Sequence, residues 1–152
     1  MGTRSTIAYK EGNTIRAVYC HWDGYPSYNG RILHNFYQEA RKIGQLIELG
    51  DLSSLGAQLG EKHDFDERID ADEYKDTRCT FYARDRNEAD VSAKEFDNIA
   101  DWLEHYDWSD YAYLWNGREW LVHSCYGGKD ANGYPVFDRL EDVLEREGAL
   151  EA

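Results

Sequence analysis

Ser5-Thr-Ile-Ala-Tyr9, the turn residues Glu11-Gly12-Asn13, and Thr14-Ile-Arg-Ala-Val-Tyr-Cys20 decide the fold. Both flanks are rich in β-branched and aromatic residues, and the turn residues between them suit a reversal, so the stretch predicts an antiparallel hairpin. Alternation along the second flank puts Ile15, Ala17 and Tyr19 on one face and Thr14, Arg16, Val18 and Cys20 on the other. His21 then returns to the first face at the strand's end, toward the edge of the core.

Downstream, apolar residues recur at helical spacing through Ile32, Leu33, Phe36, Tyr37, Ala40, Ile43, Leu46 and Ile47. One helix from Gly30 with a stop at Gly50 is expected. Residues 51–76 hold few apolar side chains among many acids and read as a long acidic connection. Arg78-Cys-Thr-Phe-Tyr-Ala-Arg84 alternates like a half-buried strand, and Ser92-Ala-Lys-Glu95 has the form of a capping box opening a helix. Asn116-Gly117 joins Tyr111-Ala-Tyr-Leu-Trp115 to Arg118-Glu-Trp-Leu-Val-His123 and predicts a hairpin with a type I′ turn. Asp138 can cap a last helix bearing Leu140, Val143 and Leu144, stopped by Gly148. The order β-β-α, acidic loop, β-α-β-β-α predicts an α+β fold, a mainly antiparallel sheet with helices packed on it, in one domain over residues 1–152.

Charge is divided unevenly. The first 50 residues carry six basic and four acidic side chains and the remainder eleven and twenty-six, so the whole chain has net charge −13 and its acid lies after residue 50. Such a surface repels phosphate backbones and anionic lipid and attracts basic protein surfaces, so neither direct nucleic-acid binding nor membrane binding is expected. Cys20, Cys79 and Cys125 are widely spaced, with no C-x-x-C pair, as expected of reduced thiols in a cytoplasm. No apolar run approaches the roughly twenty residues of a membrane helix.

The densest chemistry lies in Tyr19-Cys-His-Trp-Asp-Gly-Tyr-Pro-Ser-Tyr-Asn-Gly30. His21-x-Asp23 and His63-Asp64-x-Asp66 each pair an imidazole with carboxylates, a set that zinc or manganese accepts if the fold joins them. No H-E-x-x-H, H-x-H or C-x-x-C spacing supports that, and neither a metal nor another cofactor is expected. Glu73-Tyr-Lys75 matches half of a metal-dependent nuclease site, but it sits among acids that repel the substrate. Cys20 and His21 are strand neighbours facing opposite ways and cannot share a proton, and no phosphate-binding glycine loop or G-x-S-x-G elbow is present. No residue is assigned a catalytic role, and an enzyme is the less favoured expectation.

Aromatic residues make up 14% of the chain, including rings in positions that predict a loop. Trp22, Tyr25 and Tyr28, with Asn29 in the turn, can stack a planar ligand or anchor a protein interface. Trp102, Tyr106, Trp108 and Tyr111 interleave with Asp101, Glu104, Asp107 and Asp110 to form a second aromatic and acidic strip. Carboxylates on such a scaffold can imitate phosphate spacing and receive arginine-rich grooves.

At Ser5-Thr-Ile-Ala8, Tyr19-Cys-His-Trp-Asp-Gly-Tyr-Pro26, Asn29-Gly30, Leu49-Gly-Asp-Leu-Ser-Ser-Leu-Gly56 and Gly60-Glu-Lys-His63, the chain resembles a group of small bacteriophage and prophage proteins without assigned activity. The resemblance covers the first half and, more loosely, the region through Trp120. It implies an accessory protein acting in an infected bacterial cytoplasm and carries over no catalytic residue.

The expected function is therefore a phage-type accessory protein that binds and inhibits a host protein with a basic surface. The expected target is a nucleic-acid-binding defence component, blocked by occlusion or phosphate mimicry. Recognition is expected at His21, Trp22, Asp23, Tyr25, Tyr28, Asn29, His63, Asp64, Trp102 and Trp108. The alternatives are a small-ligand binder or metal-dependent hydrolase around His21, Trp22, Asp23 and His63, and a homodimer that buries its aromatic patch.

Overall fold

The computed structural model describes residues 3–66, 77–125, 131 and 135–148. β1 (Ser5–Glu11) and β2 (Thr14–Cys20) form the expected hairpin, with Glu11 opposite Thr14 and Gly12 at φ 61 in the turn. A π-helical turn, Pro26–Gly30, leads into α1 (Arg31–Phe36) and α2 (Ala40–Glu48). β3 (Leu52–Ser54), β4 (Thr80–Phe81) and α3 (Tyr82–Arg86) follow, then β5 (Lys94–Phe96) and α4 (Ile99–His105). The chain continues through β6 (Tyr111–Trp115), β7 (Trp120–Ser124), β8 (Asp138–Arg139) and α5 (Leu140–Arg146).

The strands form one mainly antiparallel sheet in the order β4-β3-β2-β1-β6-β7-β8, with β5 also on β2. The β1–β6 and β2–β3 pairs are parallel. The α+β architecture read from the hairpins is thus present. Helices cover both faces, which explains why both alternating sets of β2 are buried. On one face Ile7, Val18, Cys20, Tyr113 and Trp120 pack with α1, α2 and α5 through Ile32, Leu33, Ile43, Leu46, Ile47, Leu140 and Leu144. On the other, Ala8, Ile15, Ala17, Ala112 and Leu114 lie under Trp102 and Tyr106 of the α4 region.

Local expectations are corrected where distant contacts outweigh sequence pattern. The single helix from Gly30 is two, because Tyr37 is pulled into the core: its hydroxyl donates to Gly56 O at 2.7 Å and its carbonyl accepts from Trp120 Nε1 at 2.8 Å. Ser92-Ala-Lys-Glu95 opens no helix. Lys94 and Glu95 instead pair with the open edge of β2, and Asn98 caps α4 by accepting from Asp101 N at 2.8 Å. The strand expected over Arg78–Arg84 shortens to β4, since the Asp85 carboxylate accepts the Phe81 amide at 2.8 Å and turns the chain into α3.

The β6–β7 loop has four residues, Asn116 to Glu119, and only Gly117 adopts a positive φ, so the turn is not type I′. Asn116 Oδ1 holds it by accepting from Arg118 N and Glu119 N, each at 2.9 Å. Asp138 lies in β8 and does not cap α5. Part of the expected acidic connection is strand β3, while residues 67–76, including Glu73-Tyr-Lys75, lie outside the described residues. No helix among the described residues is long and apolar enough to cross a membrane.

Candidate recognition surface

Parallel pairing with β3 continues past the end of β2. His21 N and Trp22 N donate to Leu52 O and Ser53 O, both at 3.0 Å. The chain then turns at Asp23, φ 58, and Gly24 N donates to Thr3 O at 2.7 Å. A Cβ on Gly24 would stand 2.8 Å from Ser5 Cβ, so this close approach requires glycine. Asn29 is fully buried and locks the loop: its Nδ2 donates to Trp22 O at 3.0 Å and to Cys20 Sγ at 3.5 Å. Asn29 therefore has no surface for a partner. The locked loop leaves Trp22 and Tyr25 exposed, with Tyr28 half-buried beside Tyr25.

Between β3 and β5 the edge of β2 is bare at Val18 and Tyr19. Asp51 fills this gap: its Oδ1 accepts the Tyr19 amide at 2.9 Å, while its own amide and carbonyl are held by Val91 O and Tyr82 N. On the outer side stands a row of aromatic rings. Trp22 meets His21 at 4.5 Å between centroids, His21 meets Tyr19 at 5.9 Å, and Tyr19 meets Trp108 edge-on at 4.8 Å. Trp108 meets Tyr106 at 5.9 Å, and His105 and Phe96 close the row. Trp22 is 44% and Trp108 48% exposed, so large indole surfaces at two points of the row face solvent.

Desolvation pushes the Tyr19 phenol up to about 12, and desolvation together with the nearby Arg4 charge lowers His21. A protonated phenol therefore donates to a neutral imidazole at Nδ1, which leaves the ring proton on Nε2. Burial also raises the carboxyls of Asp23 and Asp51. For Asp51 the Tyr19 amide and the charges of Lys94 and His105 pull the other way.

The two imidazole and carboxylate clusters have separate partners. His63 N donates to Asp85 Oδ1 at 3.0 Å, and its Nε2 meets Thr80 Oγ1 at 3.2 Å. Asp85 also accepts from Arg84 Nε, and Arg84 reaches the carbonyls of Leu59, Gly60 and Cys79. This network fastens the 56–63 segment to β4 and α3, a structural task. Asp64 is exposed, with Oδ1 accepting the Asp66 amide at 3.3 Å. Among the described residues, no group of three His, Cys, Asp or Glu side chains could hold a metal ion.

Trp102 is also a core residue. It is fully buried and donates through Nε1 to Thr6 Oγ1 at 3.0 Å, so of the two tryptophans expected at the acidic strip, only Trp108 is accessible. Burial pushes the Cys20 thiol to about 12, as suits a packing residue and not a nucleophile. On the β7–β8 side, a polar cleft of about 320 Å³ is lined by His34, Arg118, Glu119, Arg139 and Glu141. Arg139 is already engaged there by Glu119, Glu141 and Asp142.

Of the residues expected to recognise a partner, His21, Trp22 and Trp108 lie along this row. Tyr19 and Asp51, absent from that expectation, come together through a gap in strand pairing that only the assembled sheet creates. The chain matches no protein-family model, no curated protein and no solved structure.

Proposed function

We propose that this protein is a non-enzymatic binding protein that uses the Trp22–His21–Tyr19–Trp108 row to grip a basic protein surface. The carrying observation is two exposed indoles on a row of contacting rings in a chain of net charge −13. Exposed aromatics anchored on packed neighbours suit interface hot spots, and negative charge speeds and selects the approach of basic partners. The resemblance to phage accessory proteins supports a bacterial host protein as the partner, and the charge favours a nucleic-acid-binding defence component inhibited by occlusion or phosphate mimicry.

Capture from bacterial lysate tests this reading. A specific partner should be retained at low salt, released as salt rises, and lost with Trp22→Ala/Trp108→Ala. A partner retained equally by that double variant rejects the surface, and capture of none rejects the function. Light scattering separates this reading from self-association through the same rings.

A further inference from the structure

We infer that Asp51, Tyr106, Tyr19 and Trp108 form a receptor for one arginine side chain of the basic partner. This inference deepens the binding function proposed above and rests on it. Tyr19 and Tyr106 join the carboxylate to the indole. Tyr19 gives its amide to Asp51 Oδ1 at 2.9 Å and packs its ring on Trp108, while Tyr106 packs on Trp108 and feels the Asp51 charge.

Two polar atoms here lack protein partners. The Tyr106 hydroxyl is buried, in a residue only 3% exposed, and has no hydrogen-bond partner. Among the described residues, Asp51 accepts only the Tyr19 amide, which leaves Oδ2 without a protein donor. A buried hydroxyl without a partner is costly, and a ligand that supplies one relieves the cost.

The available chemistry suits a guanidinium. A carboxylate oxygen and a phenol oxygen accept N–H donors, and an exposed indole offers a face for a planar cation. Arginine is favoured over lysine because its planar fork stacks and donates in several directions at once, whereas an ammonium is a compact and strongly hydrated charge. Lys94 and His105 influence Asp51, yet no ion pair within 4 Å ties either to it among the described residues, so no protein cation already neutralises the carboxylate.

Hexa-arginine and hexa-lysine peptides test this with the full chain by titration calorimetry at low salt. Hexa-arginine should bind saturably and more tightly than hexa-lysine. Asp51→Asn, which keeps an acceptor for the Tyr19 amide, should weaken hexa-arginine by about fivefold or more, as should Trp108→Ala. Glu141→Gln, which removes the same charge at the distant cleft, should change it less than about twofold. Tyr106→Phe deletes only the unpartnered hydroxyl; it should weaken the peptide without loss of stability and decides the matter if Asp51→Asn does not fold.

Equal binding of both peptides, equal effects of Asp51→Asn and Glu141→Gln, or no binding overturns the receptor. Partner capture that needs Trp22 and Trp108 but is indifferent to Asp51→Asn also overturns it and leaves the proposed function standing. Hexa-arginine bound at Asp51 with no captured partner has the opposite meaning.

Discussion

The amide of His63 donates to Asp85 Oδ1 at 3.0 Å, joining segments 22 residues apart. Asp85 further accepts the Phe81 amide at 2.8 Å and Arg84 Nε at 3.0 Å, with its side chain wholly removed from solvent. Asp85→Ala strips the acceptor from all three and leaves the Arg84 cation in a mostly buried position, at an expected cost of about 3 kcal/mol. Asp64→Ala, on an exposed side chain, should stay within about 0.5 kcal/mol. Urea unfolding of both variants gives the comparison.

Burial raises the Asp85 carboxyl, but the hydrogen bonds from Arg84, Phe81 and His63 outweigh it and hold the group below its ordinary value. The unfolded chain then binds this proton more tightly than the folded one. The stabilisation is complete above the unfolded value near pH 4 and is lost as pH falls through the lower folded value. The stability gap between wild type and Asp85→Ala should therefore narrow in acid. A gap independent of pH between about 5 and 2 contradicts this.

The two tryptophans of the acidic strip should separate cleanly. Trp102→Ala empties a fully buried site and orphans a hydrogen bond to Thr6, an expected loss of about 4 kcal/mol. Trp108→Ala should cost less than about 1 kcal/mol in stability while weakening the partner complex strongly. Paired urea and binding measurements on each variant read both effects.

How much was legible in sequence depended on how local the deciding contacts are. Alternation in β2 placed Ile15 and Ala17 opposite Val18 and Cys20, and these residues do line separate cores. The capping-box pattern at Ser92 to Glu95 yielded to strand pairing with Ile15 to Ala17, some eighty residues earlier, which no local rule contains. Likewise the helical period through Tyr37 is intact in the sequence, and the break comes from Trp120 at its carbonyl and Gly56 and Cys79 at its hydroxyl. His21 and His63 share a residue type but not a site, because Asp85 claims the second.

Glycine substitutions should have opposite signs. A Cβ on Gly56 would lie 2.3 Å from the Arg78 carbonyl carbon, a backbone clash, so Gly56→Ala should cost more than about 2 kcal/mol or prevent folding. Gly44 sits inside α2 with nothing within 4 Å of its Cβ position. Gly44→Ala should stabilise by about 0.5–1 kcal/mol, as thermal and urea unfolding will show.

Thiol chemistry reports on the same core. Desolvation raises all three thiols, but Cys20 and Cys79 are wholly buried whereas Cys125 is only half-buried beside Ser109. An aromatic disulfide reagent at pH 8 should modify Cys125 first and reach the other two only on unfolding. Prompt modification of Cys20 in the folded protein contradicts its assignment as a packing residue.

Hydroxyl-radical footprinting of the complex with the captured partner measures most directly where recognition occurs. Protection is expected at Trp22, Tyr19 and Trp108, with the Arg118 and Glu141 cleft unchanged. Protection centred on that cleft, with Trp22 and Trp108 as reactive as in the free protein, would contradict recognition by the aromatic row.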